Sequence, residues 1–328
     1  MKARVGIGIC LALAIVATAN LFPGRAQEAD KQQPTGNGVP PANPLQVALL
    51  RWYRANTTTR FTVGSQPYGV AFDGANIWTA NFGDGTVTKM QPNDGEVLGT
   101  FKVGTAPFGV TFDGANIWVS NVASGTVSKL RASDGGTLGT FAVGANPGWM
   151  AFDGAHIWVP YGQNSVAKLR AGDGKILGTF IVGGSPIAAA FDGENIWVTN
   201  TADNTVSKLR VSDGKTLGMF KVVSGPLGIA FDGANVWVAN SGGASVSKLR
   251  ASDGKILGTF SAPGSPYGVA FDGTNIWVSG SPYAYEFRAS DGKRVGFFNP
   301  PNTNTIGVAF DGANIWLAGL NDNTVLKF

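Results

Sequence analysis

Phe112-Asp113-Gly114-Ala115-Asn116-Ile117-Trp118-Val119-Ser120-Asn121 decides the fold, because close copies of this stretch occur seven times along the chain. The Phe-Asp-Gly triplet starts at Phe72, Phe112, Phe152, Phe191, Phe231, Phe271 and Phe310. A tryptophan follows six residues later each time, at Trp78, Trp118, Trp158, Trp197, Trp237, Trp277 and Trp316. The units run 61–100, 101–140, 141–179, 180–219, 220–259, 260–297 and a shorter 298–328, a period of about 40 residues. Within one unit, four short runs rich in β-branched and aromatic residues are separated by Gly, Asp and Asn turns: 109–112, 116–120, 126–131 and 137–143. Helical repeats would show a 3.6-residue apolar period and few such turns.

Four strands in about 40 residues make a propeller blade. The expected fold is therefore all-β, a seven-bladed β-propeller of four-stranded antiparallel blades, with strands A to D in each. The last unit carries strands A to C and no D. The missing strand is found at the other end, where Thr59-Arg60-Phe61-Thr62-Val63-Gly64 lines up with Gly139-Thr140-Phe141-Ala142-Val143-Gly144. An N-terminal strand completing the last blade would close the ring and cover an edge that otherwise invites aggregation.

The stretch 112–121, together with Trp197-Val198-Thr199-Asn200, resembles the YVTN-repeat propellers, the exported YncE-like family. The resemblance covers about 45–328 and implies a seven-bladed scaffold without a shared chemistry. More distantly, the layout is similar to that of the streptogramin lyases. That family places a catalytic His between the Pro and Gly that open strand A, and acids after the Trp. Here the first slot holds Tyr68, Phe108, Gly148, Ile187, Leu227 and Tyr267, and the second holds Asn81, Asn121, Tyr161, Asn200, Asn240, Gly280 and Gly319. The general acid and base are missing, so the lyase activity does not carry over.

Outside the repeats, Lys2 and Arg4 precede an apolar run, 5–17, and Gly24 and Ala26 are small, as in a signal peptide cleaved after Ala26. An uncleaved anchor is the alternative, although the run is short for a span. The expected organisation is a signal peptide 1–26, a flexible linker 27–44, a short helical lead-in 45–56 and a single propeller 57–328, exported to the periplasm or secreted, with no membrane span after cleavage. Cys10 is the only cysteine and lies in the leader, so disulfides and Cys-containing zinc sites are excluded from the mature chain. Loss of Lys2, Arg4 and Arg25 takes the formal charge from +4 to +1. A nearly neutral domain is a poor nucleic-acid binder.

The repeats also separate invariant from variable positions. The A to B turns, with Asp73, Asp113 and their equivalents, and the C to D turns barely change, which marks them as geometric. The B to C and D to A loops vary, and alternating strand direction puts both sets on one face, around the mouth of the central channel. The candidate binding residues are there: the aromatics Tyr68, Phe108, Trp149, Tyr161 and Tyr267, with Asn81, Asn121, Asn200 and Asn240 as hydrogen-bonding amides. This set suits a small polar ligand or a protein partner of unknown identity, bound by a monomer. The lysines Lys89, Lys129, Lys168, Lys208 and Lys248 are read as stems on apolar blade surface with ammonium groups in water.

Catalysis is not expected. His156, the only histidine, stands in an A to B turn. No catalytic residue, no cofactor and no metal site is assigned; Asp84, Asp203 and Asp322 are read as turn residues, with an oxygen-only cation site as the alternative. The reading is a non-catalytic binding or interaction scaffold, and the alternative is a lyase or lactonase-like propeller with its site at the channel mouth.

Overall fold

The computed structural model describes residues 59–300 and 303–328. The expected leader, linker and lead-in (1–26, 27–44 and 45–56) lie outside the described residues. Among the described residues, 28 strands form seven sheets of four, each antiparallel and in chain order except the last. Blade 1 is Pro67–Phe72 (A), Ile77–Asn81 (B), Thr86–Met90 (C) and Val97–Lys102 (D). Blades 2 to 6 repeat this plan. Blade 7 is Thr305–Phe310, Ile315–Gly319 and Thr324–Lys327, and its outer strand is Thr59–Thr62. The closing register pairs Thr59 with Lys327 and Phe61 with Val325. No described helix is long and apolar enough to cross a membrane.

Strands B and C are buried on both sides because blades stack face to face, which explains runs such as Ile117-Trp118-Val119 with no polar alternation. The outer strands alternate between exposed and half-buried residues. The tryptophans pack between blades: Trp78 lies with Val110, Ile117, Val119 and Leu130 of blade 2. Burying an indole contributes about 4 to 6 kcal/mol as an upper estimate from area.

An aspartate holds each tryptophan in place. Asp113 Oδ1 accepts from the backbone N–H of Ala115 (2.9 Å) and Asn116 (2.6 Å), closing the A to B turn, while Oδ2 accepts from the Trp118 indole at 2.7 Å. All seven blades make this indole bond at 2.7–2.8 Å. These carboxylates are fully used within the fold. His156 takes the Asn position of the turn in blade 3 and sits with Nδ1 3.1 Å from Asp153 Oδ2. Burial pushes the Asp153 carboxyl up, but hydrogen bonds from Trp158, Ala155 and His156 outweigh it and hold it below the usual carboxylate range.

The lysine series corrects the sequence reading. Lys89, Lys129, Lys168, Lys208 and Lys248 are only 6–8% exposed, with ammonium groups 5.1–5.4 Å above the indole of their own blade. Each donates to carbonyls in the C to D turn of the next blade, as Lys89 Nζ does to Ala132 (2.8 Å) and Ser133 (2.9 Å). Lys327 repeats this across the ring closure, 2.7 Å from the Pro92 carbonyl of blade 1. The charge leaves water because an indole face and one or two carbonyls replace its hydration. Glycine completes the same turn. Gly135 has φ +74°, and a Cβ there would fall inside the Phe101 ring of the preceding blade.

Candidate functional site: the aromatic mouth of the channel

The inner strands open on one face with a collar of residues, Tyr68, Phe108, Gly148, Ile187, Leu227 and Tyr267 after the proline of blades 1 to 6 and Ile306 after Thr305 in blade 7. The next residue is glycine in most blades because neighbouring inner strands nearly touch. A Cβ at Gly69 would strike the Phe108 carbonyl, one at Gly228 the Tyr267 carbonyl, and one at Gly307 the Tyr68 carbonyl. Alanine fills that place in blade 4, as Ala188.

Blade 3 departs from this rule. Where blade 1 reads Pro67-Tyr68-Gly69, blade 3 reads Pro147-Gly148-Trp149, so the bulky residue stands at the close-approach position. The inner strand responds by breaking its ladder with strand B around Trp149, although Gly148 N–H still donates to the Pro160 carbonyl at 2.8 Å. It retains only Ala151–Phe152 as regular strand, and Trp149 makes a parallel bridge to Ala188 of blade 4. The Trp149 N–H donates to the Ile187 carbonyl at 2.8 Å, and Ala189 N–H donates back to Trp149 at 2.9 Å.

The displaced indole joins an aromatic arc. Phe82, from the B to C loop of blade 1, lies 4.9 Å from Tyr68; Tyr68 lies 5.2 Å from Phe108, and Phe108 lies 4.3 Å from Trp149. These are tilted ring contacts in the favourable range. Burial raises the Tyr68 hydroxyl above the usual phenol range, and the neighbouring Tyr267 hydroxyl raises it further. The Tyr68 phenol therefore stays protonated through the physiological range. Three of the expected aromatics thus form one surface, with Tyr267 beside it. Phe82 belongs to it and was missed, although its position after the Asn of strand B was a usable signal.

Beneath the collar is a cavity of about 150 Å³ lined by Val70, Val110, Trp149, Met150, Ala188, Ala189, Gly228, Ile229, Gly268, Val269, Gly307 and Val308. None of these residues titrates. The recess presents backbone polar groups alongside its apolar side chains and offers a ligand no titratable side chain.

Five of the expected site residues lie elsewhere. Asn81, Asn121, Asn200 and Asn240 are wholly buried and do not reach the mouth. Each amide nitrogen is held between two hydroxyls of strand C: Asn81 Nδ2 donates to Thr86 (3.0 Å) and Thr88 (2.9 Å), and Asn200 donates to Thr205 (3.0 Å) and Ser207 (2.9 Å). They tie the B to C loop to its own blade. Tyr161 occupies that Asn position in blade 3, packs against Gly144 and extends its hydroxyl to 3.4 Å from Thr179 on the outer strand, away from the collar. The loop aspartates have backbone duties, as in Asp203 accepting from Gly184 N–H at 2.6 Å, and Asp322 pairs with Arg60. No group of three metal-ligating side chains occurs among the described residues.

No family model matches the chain, and no curated protein does. Solved structures do. The chain is similar to a streptogramin B lyase (TM-score 0.71, 18% identity, covering 83% of this chain and 96% of that one). A virginiamycin B lyase from Staphylococcus aureus is comparable (0.71, 18%, 83% and 98%). So is hydrazine synthase of Kuenenia stuttgartiensis (0.71, 17%, 82% and 96%). What they share is the fold. At such identities a lyase and a hydrazine synthase resemble this chain equally, so the likeness carries no activity.

Proposed function

We propose that this chain is an exported, monomeric, non-catalytic β-propeller of the YVTN-repeat kind. It acts as a binding scaffold that seats an apolar or aromatic group of a ligand or partner segment in the rimmed recess of its channel. One observation carries the reading: the arc Phe82, Tyr68, Phe108, Trp149 stands over a cavity whose lining has no titratable group. Aromatic rings give contact area at low conformational cost, and the two phenols add directional hydrogen bonds at the rim. Because the asparagines are wholly buried with their amide nitrogens bonded internally, even though the carbonyl oxygens of Asn81, Asn200 and Asn240 have no partner among the described residues, the occupant is expected to be less polar than their presence suggested.

Affinity capture from an exported-protein extract tests this, comparing the native chain with Tyr68→Ala plus Phe108→Ala and with Ser133→Ala plus Ser212→Ala on the opposite face. The mouth variant is expected to lose the captured partner, with affinity down by at least about 1 to 2 kcal/mol per anchor. The turn variant is expected to retain it. Loss in the turn variant alone would move the working surface to the other end of the channel.

A further inference from the structure

Six of the seven strand-B tryptophans are wholly buried, and each faces a lysine across the B to C ladder. The six ammonium groups lie 5.1–5.5 Å from the indole centres. The seventh, Trp277 of blade 6, has the same register, but its partner is Glu286. Its indole is partly exposed.

The exchange has a topological reason. A lysine at 286 would point at blade 7, whose outer strand, Thr59–Thr62, comes from the other end of the chain rather than through a turn from Thr324–Lys327. The Phe298 ring likewise packs 5.2 Å from Phe328, where the other blades offer a turn glycine. That accounts for the loss of lysine. It does not account for a carboxylate.

A carboxylate is a poor neighbour for the negative face of an indole. Glu286 Oε1 accepts from Asn275 Nδ2 at 2.8 Å, and Oε2 has no hydrogen-bond donor among the described residues. Asp272 adds a second negative charge nearby. Both arginines of the same blade are engaged elsewhere: Arg294 lies over Tyr285 and Phe297, and Arg288 pairs with Asp291. What would relieve this arrangement is what the other six positions already contain.

We propose that Trp277 and Glu286 form a binding site for an alkylammonium group supplied from outside the described chain. The indole face takes the cation, and Glu286 replaces the turn carbonyls as its acceptor. The roles at this seam are therefore reversed, with the acceptor on the propeller and the donor on the ligand. The cation can be a free amine or a lysine side chain of a partner, since the shared chemistry is an ammonium on a short apolar stem.

The probe is n-butylammonium chloride titrated into the folded protein, read on the Trp277 indole N–H resonance, which Trp277→Phe assigns. A saturable shift of that resonance is expected, with n-butanol giving none. Glu286→Gln should weaken the binding at least tenfold while the other six indole signals stay in place, which shows that the variant folds. Affinity should rise with pH as Glu286 ionises. Glu286→Lys should abolish the response. A comparable response to Nα-acetyl-lysine methylamide identifies a partner lysine as the source, and a response to butylammonium alone identifies a free amine. An equal shift in Glu286→Gln, an equal shift with n-butanol, or equal movement of all seven indoles would overturn the assignment.

Discussion

Between blades 4 and 5, Lys208 lies 5.2 Å from the Trp197 ring centre, donates to the Ala251 carbonyl at 2.7 Å, and the Phe220 ring packs on Gly254. Between blades 6 and 7, Glu286 faces Trp277, no turn carbonyl is offered among the described residues, and the Phe298 ring packs on Phe328. The two seams begin from the same repeat and diverge only where the next blade presents something different. A residue in one repeat is thus chosen by the blade it touches as much as by the blade it belongs to. The aspartate clasp stays inside its own blade, and it is alike in both: Asp192 accepts from Trp197 at 2.7 Å, and Asp272 accepts from Trp277 at 2.8 Å.

The largest effect should come from that clasp. Asp192→Ala and Asp272→Ala each remove an acceptor from an indole and two backbone N–H groups, and each is expected to cost about 2 to 4 kcal/mol in urea unfolding. Similar costs would confirm that the clasp is indifferent to the seam, and a twofold gap would break the comparison. Next in size is the staple. Lys208→Met should cost about 1 to 2 kcal/mol by leaving turn carbonyls and an indole face without their cation. Glu286→Met should cost nothing or stabilise the fold, because it removes a desolvated acid.

The smallest effect is a pH dependence. Burial, and then the charge of Asp272, raise the Glu286 carboxyl above its ordinary range. A raised carboxyl favours the folded state while protonated, and that contribution fades as pH rises through the folded-state value. Glu286→Gln should therefore match the native chain in acid and be slightly more stable at neutral pH. Asp153 and Asp311, held below their ordinary range, act in the opposite sense and lose their contribution as pH falls, equally in both proteins. Chemical denaturation of the pair at several pH values reads the difference directly; a constant gap across pH would assign the effect to packing.

The blade count and strand order were legible because Phe-Asp-Gly and Trp fix one hairpin per unit, and the same hairpin recurs until the ring is full. The face around the mouth was legible for the same reason. Burial was harder to read. Lys89 and its equivalents are charged, which argues for water, yet each stands in strand C opposite a tryptophan, and that pairing was the available sign of an ammonium held on an indole. Asn81 and Asn200 look like exposed loop amides until the hydroxyls five and seven residues onward are counted, at Thr86 and Thr88, and at Thr205 and Ser207. The rewired inner strand at Trp149 was least legible. Swapping Tyr-Gly for Gly-Trp changes no length and exchanges only one aromatic for another, and its effect depends on how closely the neighbouring strands approach.

The closure of blade 7 also sets a timetable. Six blades are built from hairpins whose partners lie close in sequence, so each can form soon after its own residues are made. Blade 7 joins residues as far apart as Arg60 and Asp322, separated by 262 positions. A contact of such high order is slow to find, although its entropic cost grows only with the logarithm of the loop. During synthesis Thr59–Thr62 therefore emerges first and waits as an unpaired edge until Thr324–Lys327 arrives. The ring spends nearly its whole biogenesis open at one seam, and the strand that seals it is the one most exposed to pairing with another chain.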